Sequence, residues 1–336
     1  MIPFEFDFVR AESVDEAVFA WREAEGVGKS AAYFGGGTEL VTLARDAKRR
    51  FDVAVDYKVV PEARRTGRES DSYVWGSALR LSDITDSAET GLVAYCSRGV
   101  ADRTARNSIT LGGNICGMLA YREAVLPFLL LDGRVEVAST DRRRWVYLHD
   151  LFDKRLRLDV GELAVAWAIP VDTLAGLGLL PGVTPRSGEG NGRLGRDRAA
   201  SYGAVVAAGS GERGAWYYCR RTRDSRLDYP LVTVAMASID GVVRLAVAGA
   251  WGYPARALRA EAVLNGESVV VDALSAAGSD ARSDIDAASL RSIVRRAFEA
   301  EERPFKQDQR GSRDYRREMT VTAVCDGITE LSGGNL

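Results

Sequence analysis

The chain has 336 residues, of which 46% are hydrophobic and 27% charged, with a formal net charge of -2. This is the balance of a globular protein with two domains or one large one. The near-neutral charge gives no reason to expect nucleic acid or an anionic membrane as partner, and no apolar run approaches the roughly 20 residues of a membrane span. The N-terminus lacks the basic head and apolar core of a signal peptide, so we expect a cytoplasmic protein.

Metal-binding and nucleophilic side chains are scarce. The four cysteines, Cys96, Cys116, Cys219 and Cys325, form no C-x-x-C pair, so neither a zinc site nor an iron–sulfur cluster is indicated. His149 is the only histidine, and one imidazole cannot supply both a base and its relay. We therefore expect no metal site and no catalytic residue, and any chemistry should come from a bound organic cofactor.

The first elements predict a small parallel sheet. Ser13 and Glu16 form a capping box ahead of apolar periodicity, which predicts a helix over 14–25. The apolar run 31–34 reads as a buried strand, followed by a helix over 38–48 and a strand over 51–56. Strands that alternate with helices in this way indicate parallel pairing with crossover helices.

Two glycine-rich turns follow apolar segments, at Gly35-Gly36-Gly37-Thr38-Glu39-Leu40 and Thr110-Leu111-Gly112-Gly113-Asn114-Ile115. Backbone amides in such turns can converge on an anion, and a following helix adds partial positive charge. The glycines match neither the G-x-G-x-x-G fingerprint nor the G-K-[ST] of a P-loop. Either turn alone could be an ordinary turn, so the glycines suggest a phosphate and leave the ligand open.

The middle of the chain predicts more strands and helices. We expect a strand over 72–76, helices that begin at Leu81 and span 91–106 and 125–131, and strands over 134–137, 144–147 and 162–169. Residues 171–215 then become rich in Gly, Arg, Ser and Ala with little periodicity. We interpret them as an inserted loop or linker between a domain over 1–170 and a second domain over 216–328.

The second domain reads as a three-stranded antiparallel sheet backed by helices. Strands are predicted over 216–221, 229–239 and 242–251, with Asp240-Gly241 as a primed hairpin turn. Helices are predicted at about 254–264, 267–276, 286–302 and 310–325. The whole chain is thus predicted to be α+β.

Six ordered segments resemble one family. The two glycine turns are similar to the diphosphate loops of the medium, FAD-binding subunit of the xanthine dehydrogenase and carbon monoxide dehydrogenase family, the second as R-N-x-x-T-x-G-G-N-[IL] from Arg106. Residues 55–62 resemble its I-P-E turn. In the second domain, 221–232, 249–257 and 310–317 fit as well. The resemblance covers nearly the whole chain except 171–215.

The resemblance implies a two-subdomain FAD-binding domain of the PCMH type over 1–170 and noncovalent FAD. It implies a molybdopterin-binding large subunit and a 2Fe-2S small subunit as partners. Electrons would pass from molybdenum through the clusters to the flavin, and then to NAD or another acceptor.

The resemblance also implies which residues contact the cofactor. Thr38 and Thr110 would add hydroxyl donors, and Asn114 would bond a phosphate or the ribityl chain. Glu123 falls at the position of an Asp in the family, and Arg220 falls at the position of a Lys. The expected contacts are Phe34, Gly35, Gly36, Gly37, Thr38, Glu39, Leu40, Thr110, Gly112, Gly113, Asn114, Glu123, Ala164 and Arg220. For Glu39 and Arg220, a solvated surface charge is the alternative.

The segment after the second turn departs from the family, because Cys116-Gly117-Met118-Leu119-Ala120-Tyr121-Arg122 replaces small residues and a Ser-Pro pair. This indicates a distinct subfamily. Two other functions are open: a stand-alone FAD oxidoreductase like UDP-N-acetylenolpyruvylglucosamine reductase, and a scaffold subunit that has lost its flavin.

Overall fold

The computed structural model describes residues 2–87, 91–180, 204–224, 228–275 and 285–333. The chain forms two compact units. The first comprises Met1–Ser87, Asp102–Met118 and Leu131–Val171, and the second comprises Ala88–Ala101, Leu119–Leu130 and Asp172–Leu336. The second unit therefore takes two segments from within the range predicted for the first domain.

The strands in the described ranges are, in chain order, β1 (Asp7–Arg10), β2 (Ala31–Phe34), β3 (Val53–Asp56), β4 (Thr66–Glu69), β5 (Ser72–Gly76), β6 (Arg134–Ala138), β7 (Arg143–Tyr147), β8 (Phe152–Asp153), β9 (Arg155–Leu156), β10 (Leu163–Pro170), β11 (Ala204–Gly211), β12 (Gly214–Thr222), β13 (Pro230–Ile239), β14 (Val242–Ala248) and β15 (Ala255–Arg256).

The α-helices in the same ranges are α1 (Val14–Gly26), α2 (Thr38–Arg45), α3 (Pro61–Arg64), α4 (Leu81–Asp86), α5 (Leu92–Arg98), α6 (Arg103–Arg106), α7 (Leu111–Cys116), α8 (Leu126–Leu130), α9 (Leu148–Leu151), α10 (Val171–Gly176), α11 (Leu258–Gly266), α12 (Ser268–Ser275), α13 (Ala287–Ala300) and α14 (Arg313–Leu331).

The first unit holds the parallel sheet that the sequence predicts. Its order is β1-β3-β2, with β3 parallel to both neighbours. Ser13 caps α1 by accepting a hydrogen bond from the Glu16 amide, and Val14 and Val18 of that helix belong to one buried cluster with Val53 and Val55. A second sheet has the order β4-β5-β10-β6-β7.

The single helix predicted over 91–106 is wrong. The structure has two helices there, α5 and α6, separated by a turn in which Ala101 has a φ of 48°. A left-handed residue cannot continue a right-handed helix, so α5 ends before it. Asp102 then caps α6 by accepting a hydrogen bond from the Ala105 amide. Likewise α2 ends at Arg45 rather than 48, just before Ala47 with a φ of 55°.

The second unit is built on one antiparallel sheet, ordered β11-β12-β13-β14-β15. The three predicted strands are its centre, and β11 and β15 extend it to five. Asp240 and Gly241 both have positive φ, 51° and 79°, as a type I′ turn requires. Helices α11, α13 and α14 contribute Leu264, Phe298 and other side chains to the buried cluster against this sheet.

The segment predicted as a loop over 171–215 contains regular structure at both ends. Residues 171–176 form α10 and residues 204–211 form β11. Residues 181–203 lie outside the described residues. The expectation of an unstructured linker is therefore wrong at its two ends, because backbone pairing with β12 makes Ala204–Gly211 a strand without strong alternation. The exact boundaries of the domains stay a prediction.

Among the described residues, no helix is both long and apolar enough to cross a bilayer.

Candidate cofactor site

The two glycine turns meet in the first unit. A Cβ built on Gly36 would lie 1.8 Å from the carbonyl oxygen of Ser108. A Cβ on Gly35 would lie 2.8 Å from the Thr110 Oγ1 atom and 3.1 Å from the Tyr57 hydroxyl. Any side chain on Gly36 would therefore push the two backbones apart. This close approach requires glycine, and the two turns therefore lie against each other. Together they form one surface, the glycine wall.

The first turn leaves a helix N-terminus open. Gly37 is the N-cap of α2, with a φ of 71° in the left-handed region, where glycine is favoured. The first amides of α2 have no acceptor within the helix and carry its partial positive charge. The ring of Phe34 fills the space against Gly37, with the Lys58 ammonium 4.6 Å from the ring centroid. Because Lys58 is already paired with Asp56 at 2.8 Å, it is the amides at the start of α2 that suit an anion.

The second turn is held by its own hydrogen bonds. The Thr110 hydroxyl caps α7, accepting a hydrogen bond from the Gly113 amide at 3.1 Å. The Gly112 amide donates to the Ser77 carbonyl at 2.9 Å, and the Ser77 hydroxyl donates to the Ala164 carbonyl. Thr110, Gly112 and Ala164 thus form the framework of this turn, a role that the resemblance did not imply.

Asn114 carries the unsatisfied polar atom of the site. Its side chain is half-buried in α7, and its Oδ1 atom is buried with no hydrogen-bond partner among the described residues. A buried acceptor of this kind costs about 1–3 kcal/mol when it stays unpaired. A ligand hydroxyl or amide beside Asn114 would remove that cost.

Glu39 lies in the first turn of α2, where its carboxylate accepts a hydrogen bond from the Met118 amide at 3.0 and 3.2 Å to its two oxygens. It is therefore tied to the chain that follows the second turn. Thr38 is exposed and Leu40 half-buried at the same helix start.

Glu123 and Arg220 lie in the second unit and pair with each other. The Arg220 Nε atom donates to Glu123 Oε1 at 2.8 Å, with side chains 3% and 2% exposed. Thr233 donates to the same oxygen at 3.0 Å, and Arg220 also donates to the Asp228 carbonyl. Burial raises the pKa of Glu123, although Arg220 and Thr233 oppose this rise. The alternative that Arg220 is a solvated surface charge is therefore wrong.

Four residues at the glycine turns were not singled out as contacts from the sequence: Tyr57, Lys58, Ser77 and Ser108. Ser108 could have been predicted as a contact, since it lies inside the second motif. Tyr57 directly follows a buried strand, and its hydroxyl bonds to Thr110. Ser77 gave no sequence signal. Across the described ranges, no three His, Cys, Asp or Glu side chains are grouped to hold a metal ion.

Comparison with known proteins places the chain in a family. The family described as FAD binding domain in molybdopterin dehydrogenase matches residues 4–172. The nicotine 6-hydroxylase medium subunit of Paenarthrobacter nicotinovorans is 27% identical over 299 residues, 88% of this chain and 87% of that protein. The xanthine dehydrogenase FAD-binding subunit of Escherichia coli O157:H7 is 28% identical over 142 residues, 40% of this chain and 49% of that protein.

Two solved structures share the fold across nearly the whole chain. Carbon monoxide dehydrogenase from Hydrogenophaga pseudoflava, in a form that lacks the Mo-pyranopterin moiety, superposes with a TM-score of 0.72 at 20% identity, covering 99% of both chains. Quinoline 2-oxidoreductase from Pseudomonas putida 86 gives 0.71 at 19% identity, covering 99% of this chain and 98% of that one.

The fold and the family match define the class: an FAD-binding subunit of the oxidoreductases. More particularly, the chain belongs to the family of FAD-binding domains in molybdopterin dehydrogenase. The predicted resemblance, the α+β class and the FAD cofactor are confirmed.

Proposed function

We propose that this chain is the FAD-carrying electron-transfer subunit of a molybdenum hydroxylase and that its two glycine turns hold the FAD diphosphate. The observation that supports this most is the approach of Gly36 to Ser108, beside the open N-terminus of α2. The glycines let the two turns lie against each other, and the amides of α2 supply hydrogen-bond donors for phosphate oxygens.

The residues at this wall divide the work of binding. The amides of the α2 first turn would donate to the phosphates, and Asn114 Oδ1 would accept a hydrogen bond from a cofactor hydroxyl. When bound, FAD supplies the capacity to accept and pass on electrons. The protein positions the cofactor, and no side chain at the wall needs to move a proton.

The remaining predicted contacts are part of the proposal. Phe34 and Leu40 would support the first turn, and Thr38 would donate a hydroxyl to the diphosphate. Glu123 and Arg220, which pair with each other, stay predicted FAD contacts. Their contact with FAD depends on the resemblance alone.

The electron path and the partners belong to the same proposal. The relatives are named as medium or FAD-binding subunits, which supports a molybdopterin-binding large subunit and a 2Fe-2S small subunit as partners here. We propose NAD or another acceptor for the electrons, and the cytoplasm as the location.

Purification of the chain with and without the two proposed partners tests this function. We expect flavin absorbance in the chain alone, release of FAD on denaturation, and co-purification with an iron–sulfur protein. Reduction of the flavin by the substrate of the complex, without added dithionite, should require the complete complex. Substrate turnover by the chain alone would instead support a stand-alone oxidoreductase, and absence of flavin would support a scaffold subunit.

A further inference from the structure

The Glu39 carboxylate spans the distance between the two turns. Glu39 belongs to α2, which the first turn opens, whereas its hydrogen-bond donor, the Met118 amide, follows the end of α7, which the second turn opens. The Glu39 carboxylate also lies close to Gly117, just after α7. A Cβ on Gly117 would lie 2.6 Å from Glu39 Oε2. One side chain thus joins the start of α2 to the residues that follow α7.

The charge of Glu39 argues against direct contact with a phosphate. A carboxylate in the first turn of α2 would repel an anion bound at that helix start. Both carboxylate oxygens instead lie within hydrogen-bond distance of one amide, at 3.0 and 3.2 Å. A hydrogen bond to a charged group contributes more than one between neutral groups. The Glu39 carboxylate therefore binds the Met118 amide and has no need of a ligand contact.

We propose that Glu39 is a positioning residue that fixes the spacing of the two turns through Met118, rather than a group that touches the cofactor. This inference depends on the proposed function, in which the turns hold the diphosphate. The same contact requires glycine at position 117, because a side chain there would displace the Glu39 carboxylate.

The experiment compares Glu39→Ala, Glu39→Gln and Gly117→Ala, with Glu23→Ala on the exposed face of α1 as the control. Each apo-protein is titrated with FAD by flavin fluorescence, and hydrogen exchange at the Met118 amide is measured without cofactor. Glu39→Ala is expected to weaken FAD binding by about 10-fold and to speed Met118 exchange. Glu39→Gln keeps an acceptor and is expected to stay within about 3-fold of the parent chain.

A double-mutant cycle sharpens the test, because both substitutions break the same contact. Gly117→Ala is expected to weaken FAD binding in the parent chain and to add little in the Glu39→Ala background. Additive effects, or unchanged Met118 exchange in Glu39→Ala, would overturn the positioning role. Tighter FAD binding by Glu39→Gln with unchanged Met118 exchange would also overturn it, since the carboxylate would then act only by repelling a nearby phosphate.

Failure of this inference is distinguishable from failure of the proposed function. If Gly36→Val loses FAD while Glu39→Ala changes neither affinity nor exchange, the turns hold the cofactor and only the role of Glu39 falls. If Gly36→Val retains FAD with unchanged affinity, the glycine wall itself is not the site.

Discussion

The Cα atom of Gly36 packs against the carbonyl oxygen of Ser108 so closely that a Cβ on Gly36 would lie 1.8 Å from that oxygen. The clash is with backbone, which cannot rotate aside as a long side chain can. Two turns that lie far apart in the sequence are thereby held against each other. This contact explains why glycine is needed at position 36 even before a ligand is considered.

Asn114→Ala should separate binding from folding. The Oδ1 atom is buried without a partner among the described residues, so its removal should leave the apo-protein as stable as before or slightly more stable. FAD affinity should fall by about 10-fold, since the cofactor loses one hydrogen bond. Chemical denaturation of the apo-protein and FAD titration give the two quantities. A loss of apo-protein stability with unchanged affinity would show a purely structural role.

Arg220→Met should destabilise the second unit. It leaves Glu123 buried without its cation, and breaking a buried pair in this way costs about 3–5 kcal/mol. The double variant Glu123→Leu/Arg220→Met removes both charges and should recover most of that loss. Urea denaturation measures all three free energies of unfolding. Equal losses in the single and double variants would contradict the pairing seen in the structure.

The sequence predicted those elements whose signals are local. The capping box of Ser13 and Glu16 predicted α1, and Asp240-Gly241 predicted the hairpin between β13 and β14. It did not predict the partner of Arg220, because Glu123 lies far away along the chain and pairing across that separation leaves no periodic signal.

The site was predicted as a set of residues but not as an arrangement. The turns were recognisable from their glycines and motifs. The capping role of Thr110 and the link from Glu39 to Met118 were not, because a hydroxyl or carboxylate can bond a ligand or its own backbone equally well. Only the folded geometry decides between these partners.

Asp308 should make stability depend on acid pH. Burial opposes ionisation, but hydrogen bonds from Lys306, the Arg310 amide and the buried Arg316 lower its pKa below the ordinary value of 3.8. The folded state thus binds this proton more weakly than the unfolded state, and the stabilisation is present above about pH 4 and lost below it. Asp308→Asn should cost about 2 kcal/mol at pH 7.

The measurement is the free energy of unfolding of both proteins between pH 7 and pH 2. The difference between them should shrink as the pH falls below about 4 towards the lowered pKa, because the parent carboxylate becomes neutral first in the unfolded state and then in the folded state. A difference that is constant across this range would show that the charge of Asp308 contributes nothing.

Cys116 should be the first cysteine to react with a thiol reagent. It is exposed, whereas Cys96 and Cys219 are buried. Burial raises the pKa of both buried thiols and raises that of Cys325 to about 11, which disfavours the reactive thiolate. Peptide mapping after brief alkylation at pH 7.5 should find Cys116 labelled, with Cys116→Ser as control. Earlier labelling of Cys325 would contradict the structure.

The central claim is that the wall formed by Gly36 and the second turn holds the FAD diphosphate. The most direct test is titration of the apo-proteins of Gly36→Val and Gly26→Ala with FAD, the latter because nothing lies within 4 Å of a Cβ at position 26. The account predicts that Gly36→Val raises the Kd for FAD by about 100-fold or more, equivalent to about 3 kcal/mol, while Gly26→Ala leaves it unchanged. A folded Gly36→Val protein that binds FAD as tightly as the parent chain would contradict it.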